Sequence, residues 1–474
     1  MKGAGHQVIG KSGDQVIGGL FHVITPTPIH NHPIARTPDH PTTQKHYFTS
    51  KFIPMFAFTT ERSYAQGADA ADLLAGFKKE FHFPKKGDQD VIYFCGNSLG
   101  LQPRSVSSAI ETELNTWRDL AVGGYFNGTN PWLYYHQFCI PTLAKMMGAN
   151  ENEITVMNAL TVNLHLLMLS FYKPTTSRYK VIMEAGAFPS DQYAVETLVK
   201  HFGFDPNDTI IEIAPRAGEK TLRTEDILAT IQSTGDALAM VLFGGINYYT
   251  GQLFDLTSIT KAAHAVGAIA GFDLAHVAGN VPMQLHDWQV DFAVWCSYKY
   301  LNAGPGAVGG VFVHEKHAGN ADTPRLAGWW GNDEKSRFKM EKGFIPKTDA
   351  SGWNISTSQV FNTVALKASL ELFEKAGIEN LRKKSLHLTA YLEYLLKQLP
   401  QLNFEIITPT DPKQRGAQLC LYFKERGKEI HDKMISSGII VDYREPGVIR
   451  VAPAPMYCSF EDVYRFYEIL KTNF

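Results

Sequence analysis

Residues 295–310 read WCSYKYLNAGPGAVGG: one lysine between two tyrosines, followed by a run into glycines. The segment before it, DFAVW (291–295), and the one after it, GVFVH (310–314), are apolar and β-prone, which predicts two buried strands with Lys299 on their connection. A lysine held there out of water loses part of its preference for the charged form and becomes a base or a Schiff-base former. A lysine whose head snorkels to solvent would read the same way. The stretch also contains Gly304-Pro-Gly-Ala-Val-Gly309, the GxGxxG spacing of dinucleotide-binding turns. Such a turn must open a helix, and here a β-type run follows, so a dinucleotide is not expected.

Outward from this stretch, β-type runs alternate with helical ones. KVIME (180–184) precedes PSDQYAVETLVKHF, ALAMVLFGG (237–245) precedes DLTSITKAAHAVG, and AIAGFD (268–273) precedes DFAVW. The alternation predicts an α/β fold with a mostly parallel sheet wrapped by helices. Upstream, an amphipathic pattern from Asp69 (DAADLLAGFKKEFHF) predicts a helix, followed by the strand and turn VIYFCGNSLGLQP and a helix over about 105–120. Beyond about residue 365 come two helices, four short strands (FEIIT, AQLCLYF, GIIVDYR, GVIRVAP) and a closing helix. The organisation expected is therefore a large domain over 58–365 and a smaller C-terminal α/β domain over 366–474.

Composition narrows the partners. The chain has 474 residues, 44% of them hydrophobic, enough for two cores, and a net charge of −2 gives no polyelectrolyte signal. Neither nucleic acid nor a membrane is expected as a partner, and no apolar stretch reaches the roughly 18 residues of a membrane span. The five cysteines (Cys95, Cys139, Cys296, Cys420, Cys458) are odd in number and widely spaced, which suits a reduced cytoplasmic compartment and implies no metal. Residues 1–57 stand apart: Gln-Val-Ile-Gly occurs at Gln7 and again at Gln15, then a His- and Pro-rich run follows without periodicity. The segment lacks the pattern of a secretory signal and reads as an extension, with Met55 as the expected native start; His30, His32 and His40 read as incidental.

In open α/β sheets ligands lie beyond the carboxyl ends of the strands, so the polar residues just past each β-run belong together. After KVIME come Phe188, Pro189, Ser190 and Asp191; after AIAGF come Asp273 and His276; after DFAVW come Ser297, Tyr298 and Lys299. After ITVMN, Leu160 and Thr161 open a helix, with Thr161 as its expected N-cap and free amides suited to a phosphate. A strand-end aspartate 26 positions before a strand-end lysine suits pyridoxal phosphate, with the lysine as Schiff-base former and the carboxylate pairing with the pyridinium nitrogen.

The segments YFCGNSLGLQP, NALTVNLHLLMLSFYKPT, FPSDQYA, YYTGQLFD, GFDLAHVAGNVPMQLHDWQVDFAVWCSYKYLNAGPG, GWWG, RFKM and REPGVIRVAPAPMY together resemble kynureninase, a family with the fold type I pyridoxal-phosphate architecture. The resemblance runs from about residue 59 to the end and leaves the N-terminal segment outside. It implies that Lys299 is the Schiff-base lysine, that Asp273 partners the ring nitrogen, that His276 lies beside the cofactor, and that Tyr298 is a phosphate contact and proton relay. It further implies a phosphate held by Leu160 and Thr161 with Ser190 and Tyr249, a ring covered by Phe188, and Pro189, Asp191 and Gly244 close by. Arg450 would grip the substrate carboxylate. Trp329 and Thr357 would reach the site from the second subunit of a homodimer with shared sites.

The reaction so implied begins when Lys299 exchanges for the substrate amine and then removes the Cα proton. Water adds to the γ-carbonyl with help from Tyr298, and Cβ–Cγ cleavage of kynurenine or 3-hydroxykynurenine releases anthranilate or its 3-hydroxy form with L-alanine. Near the substrate ring the chain aligns Tyr125 and Thr357, where animal members carry histidine and asparagine. Threonine is similar to bacterial members that favour unsubstituted kynurenine, tyrosine matches neither pattern, and ring preference stays open. The rivals are a cysteine desulfurase or class V aminotransferase, and a silent binding protein on the same fold. The first needs a mobile nucleophilic cysteine, yet Cys420 and Cys458 sit in apolar segments that read as core; the second needs a broken lysine or aspartate.

Overall fold

The structure, a computed structural model, describes residues 57–474. The duplicated Gln-Val-Ile-Gly, the three histidines after it and Met55 lie outside these residues.

Short runs of β-branched and aromatic residues build the central sheet. Its strands are β1 (Ile154–Met157), β2 (Lys180–Glu184), β3 (Ile210–Ile213), β4 (Leu238–Gly244), β5 (Ile269–Asp273), β6 (Phe292–Cys296) and β7 (Gly309–Val313). They lie in the order β1-β7-β6-β5-β4-β2-β3. β3, β2, β4, β5 and β6 are parallel, whereas β7 runs antiparallel to both β6 and β1. β6 and β7 are buried on both faces, which is why they read as continuous apolar runs rather than alternating ones. Gly310 pairs with Trp295 across these strands, and a side chain there would stand 2.0 Å from the Trp295 indole. Gly304 and Gly306 adopt positive φ in the turn that enters β7, so the GxGxxG spacing serves a tight turn into a strand and opens no helix.

Helices flank the sheet. The ones that matter below are α1 (Ser105–Leu120), α2 (Leu160–Phe171) and α3 (Pro189–His201). A second, four-stranded sheet joins β8 (Glu405–Ile406), β9 (Leu419–Tyr422), β10 (Asp442–Arg444) and β11 (Val448–Val451) in the order β8-β9-β11-β10. Phe58–Phe474 pack as one compact unit.

The predicted helix from Asp69 is not continuous. The helix Arg62–Ala71 ends where Asp72 turns the chain, its carboxylate accepting from Leu74 N–H at 2.9 Å and pairing with Lys384 at 2.8 Å. Asp69 is also drawn out of local use, accepting from the backbone amides of Phe460 and Glu461 at the start of the last helix. A 3₁₀ segment, Ala75–Glu80, replaces the rest. Two long-range carboxylate contacts outweigh the local helical pattern.

Candidate active site

β1, β2, β4, β5 and β6 all point their carboxyl ends to one side, and the chain just past each end lines a single cleft of about 540 Å³. Its walls are Leu160 and Thr161 after β1; Glu184, Phe188, Ser190 and Asp191 at and after β2; Gly244, Ile246 and Tyr248 at and after β4. Asp273, Ala275 and His276 follow from β5, and Tyr298 and Lys299 from β6. All the residues gathered from sequence just past the strands, except Pro189 and the fully buried Ser297, therefore meet in space. Pro189 is the first residue of α3, where its fixed φ suits the helix start, and it places Ser190 and Asp191 in the first turn.

Lys299 is half-buried, with Nζ 3.0 Å from His276 Nε2 and 5.9 Å from the centroids of the Phe188 and Tyr298 rings. Burial, reinforced by the Lys299 charge, holds His276 well below the usual imidazole range, so its ring is neutral and its Nε2 is the natural acceptor for the lysine. Burial likewise pushes the Tyr298 phenol up, which keeps its proton in place. Phe188 is exposed at the mouth and stands edge-on to Tyr248 at 5.2 Å.

The floor is acidic. Asp273 ends β5 and accepts from Ala275 N–H at 2.7 Å; burial raises its pKa against the pull of Lys299. Asp191 is pushed well above the carboxylate range by burial and then by the charges of Asp273 and Glu184. Glu184, which sequence reasoning did not single out, ends β2, is 3% exposed, and is pushed up to about 8, chiefly by burial. The signal that could have found it is a glutamate closing a strand buried on both faces, a position where an ionised side chain has no water.

Two features test whether this cleft fits the phosphorylated pyridine cofactor. The first turn of α2 has no side-chain cap: Ala159 is its N-cap residue and Thr161 lies inside the helix, so the expected Thr161 cap is not formed and the amides of Leu160 and Thr161 stay available to an anion. Asp191 Oδ1 and His276 Nδ1 are buried without a hydrogen-bond partner, an arrangement that a bound polar ring would relieve. The residues present fit the group: amides for its phosphate, Asp273 for its ring nitrogen, Lys299 for its aldehyde carbon.

Other predicted site residues lie elsewhere in the chain. Arg450, on β11, is 2% exposed; it donates through Nη1 to the Tyr248 carbonyl and through Nη2 to Ser98 Oγ, both at 3.0 Å, and pairs with Asp442. The Tyr248 bond places it directly behind the cleft wall. Tyr249 turns the other way and packs on Ile407, Cys420 and Val448, so Tyr248 is the tyrosine that lines the cleft. Tyr125 lines a separate aromatic recess with Trp117, Trp132, Ser358 and Phe361, one residue from Thr357, and Trp329 is 45% exposed. Cys420 and Cys458 are buried in the cores, and burial raises both thiols, so neither is a mobile nucleophile.

The family model described as the kynureninase C-terminal domain matches residues 381–470. The chain is 53% identical over 417 residues to the kynureninase of Myxococcus xanthus (strain DK1622), covering 88% of this chain and 98% of that one. To the kynureninase of Nematostella vectensis it is 47% identical over 436 residues, covering 87% and 94%. Among solved structures it is similar to the apo cysteine desulfurase of Thermococcus onnurineus NA1 (TM-score 0.67, 18% identity, 80% of this chain and 94% of that one). It is also similar to the cystine C–S lyase C-DES bound to cysteine persulfide (TM-score 0.69, 17% identity, 82% and 99%). At these identities the structural neighbours show the shared fold, while the closer relatives carry the family.

Proposed function

The chain belongs to the kynureninase family, and on that premise we propose that the Lys299 cleft is where it cleaves kynurenine. It is a pyridoxal-phosphate-dependent hydrolase of carbon–carbon bonds acting on a small molecule. The observation that carries the site assignment is the meeting of Lys299, Asp273 and the uncapped α2 amides around one cleft.

Bound there, pyridoxal phosphate supplies an electron sink that stabilises negative charge at the substrate α-carbon. Leu160, Thr161 and Ser190 would hold its phosphate, Asp273 would pair with its ring nitrogen, and Phe188 would lie against its face. Lys299 is the residue that would hold its aldehyde carbon, and its amine, once free, would take the Cα proton; neutral His276 accepts a hydrogen bond from the lysine and keeps Nζ in place. Tyr298, which keeps its proton, moves a proton at the hydrated γ-carbonyl before Cβ–Cγ cleavage. Arg450 presents a planar fork to the substrate carboxylate from behind Tyr248.

The division into a large domain at 58–365 and a small one at 366–474 follows the two sheets. The second subunit of a homodimer supplies Trp329 and Thr357, with Tyr125 near the substrate ring. Support comes from the absence of Trp329 and Thr357 from the cleft of their own chain and from the exposure of Trp117, Trp329, Phe338 and Phe361. No helix among the described residues is long and apolar enough to cross a membrane; free Cys95, Cys139, Cys296, Cys420 and Cys458 suit the cytoplasm. The test is anthranilate release from L-kynurenine by purified protein supplied with pyridoxal phosphate, with 3-hydroxy-L-kynurenine in parallel. Release from either supports the reading, and the kcat/KM ratio settles ring preference. Cofactor binding without cleavage of either would overturn it.

A further inference from the structure

A buried arginine is oriented by whatever meets its five N–H groups. Arg450, on β11, stands directly across the ladder from Asp442 on the edge strand β10, and from Cys420 on its other side. Among the described residues Asp442 is the one carboxylate paired with it. Arg450 Nη2 meets Asp442 Oδ2 and Ser98 Oγ, Nη1 donates to the Tyr248 carbonyl, and Nε is buried without a partner. Asp442 is held twice more, accepting from the Ser98 hydroxyl and pairing with Arg444 Nη2 at 3.3 Å. Two guanidiniums on one carboxylate leave this trio a single net positive charge. The charge is felt in the cleft: after burial and Lys299, it is Arg450 and Arg444 that help to hold the His276 ring neutral.

We propose that Asp442 is a positioning residue for substrate binding: paired with Arg450 across the β10–β11 ladder, it fixes the guanidinium in one orientation, with Nε–H left for the substrate α-carboxylate. The inference rests on the reading of Arg450 as the carboxylate clamp. Asp442 touches no substrate and acts through Arg450. Strand register sets the pair, so the arginine has little rotamer freedom left to lose when the substrate arrives. Without the anion, a guanidinium 2% exposed loses its counter-charge in a dry wall, and its fork is free to turn away from the cleft. Arg444 keeps Asp442 from cancelling the clamp, because the shared carboxylate neutralises only one of the two cations.

The test is steady-state cleavage of L-kynurenine by the full chain loaded with pyridoxal phosphate. Wild type, Asp442→Asn, Arg450→Lys and the double variant are compared, with kcat normalised to the bound cofactor by its visible band. Asparagine keeps the shape and an acceptor oxygen but removes the charge, so KM should rise about tenfold with kcat within about threefold of wild type. Because Asp442 acts through Arg450, KM of the double variant should stay within about threefold of Arg450→Lys alone, where independent effects would multiply. KM does not depend on how much of the protein is folded, so a loss of stability in Asp442→Asn leaves this readout intact. Unchanged KM in Asp442→Asn, alongside a raised KM in Arg450→Lys, would overturn the proposal and leave the clamp standing. Multiplying effects in the double variant would overturn it too; if that variant is inactive, the single Asp442→Asn decides alone. Unchanged KM in Arg450→Lys would instead sink the clamp reading, and the proposal with it.

Discussion

At the amino-terminal edge of β6, Asp291 is 2% exposed and accepts from His264 and His317 at 2.7 Å, from Ala270 N–H at 2.8 Å and from Lys316 at 2.8 Å. At the carboxyl edges of β2 and β5, Glu184 and Asp273 are almost as deeply buried, yet each accepts from a single backbone amide, Gly244 and Ala275. Burial alone would raise Asp291 too, but the two histidines, Lys316 and the Ala270 amide outweigh it and hold it well below the carboxylate range. One sheet thus carries carboxylates of two kinds. Where the fold supplies all the donors, the charge is structural; where it withholds them, the site is left waiting for a ligand.

The sharpest way to break this comparison is Asp291→Ala, which leaves His264, His317 and Lys316 without their shared anion. A loss of about 3–5 kcal/mol in urea unfolding is expected, with the cofactor's visible spectrum unchanged in the folded fraction. Asp273→Asn should do the reverse: melting temperature close to wild type, and affinity for pyridoxal phosphate lower by about 10–100-fold, the worth of one charge-assisted bond. Arg450→Lys keeps a cation for Asp442 but loses the planar fork, so KM for L-kynurenine should rise about tenfold or more while kcat changes less.

The smallest effect is one of pH. Asp291 has a folded pKa below its unfolded one, so its stabilisation is present above about pH 4 and is lost as pH falls. Glu184 has a folded pKa above its unfolded one, so the cofactor-free protein should lose stability as pH rises from about 4.5 towards 8. Melting curves of cofactor-free Glu184→Gln should show a smaller decline, the raised Asp191 and Asp273 carrying the rest, and keep the acid-side one. An unchanged decline would assign it to another group.

Much of this was legible in the chain. The predicted strands KVIME, AIAGFD and DFAVW coincide with β2, β5 and β6 to within a residue, because strands buried on both faces leave an uninterrupted apolar trace. Asp273, His276 and Lys299 could be picked out because each follows such a trace. What escaped were features set by contacts distant in sequence: the helix at Asp69, undone by Lys384 and the last helix, and the choice between Tyr248 and Tyr249 in a turn with no period to fix its phase. Glu184 escaped for a different reason. It was read as the last letter of a strand, and only the convergence of β2, β4 and β5 reveals that it shares a floor with two aspartates.

The central claim is that Lys299 is the residue to which the cofactor attaches. Borohydride reduction of the holoprotein, followed by proteolysis and peptide mass mapping, tests it directly. The account predicts a phosphopyridoxyl group on the peptide carrying Lys299 and on no other lysine, with none in Lys299→Ala. Modification at a different lysine in the native protein would contradict it.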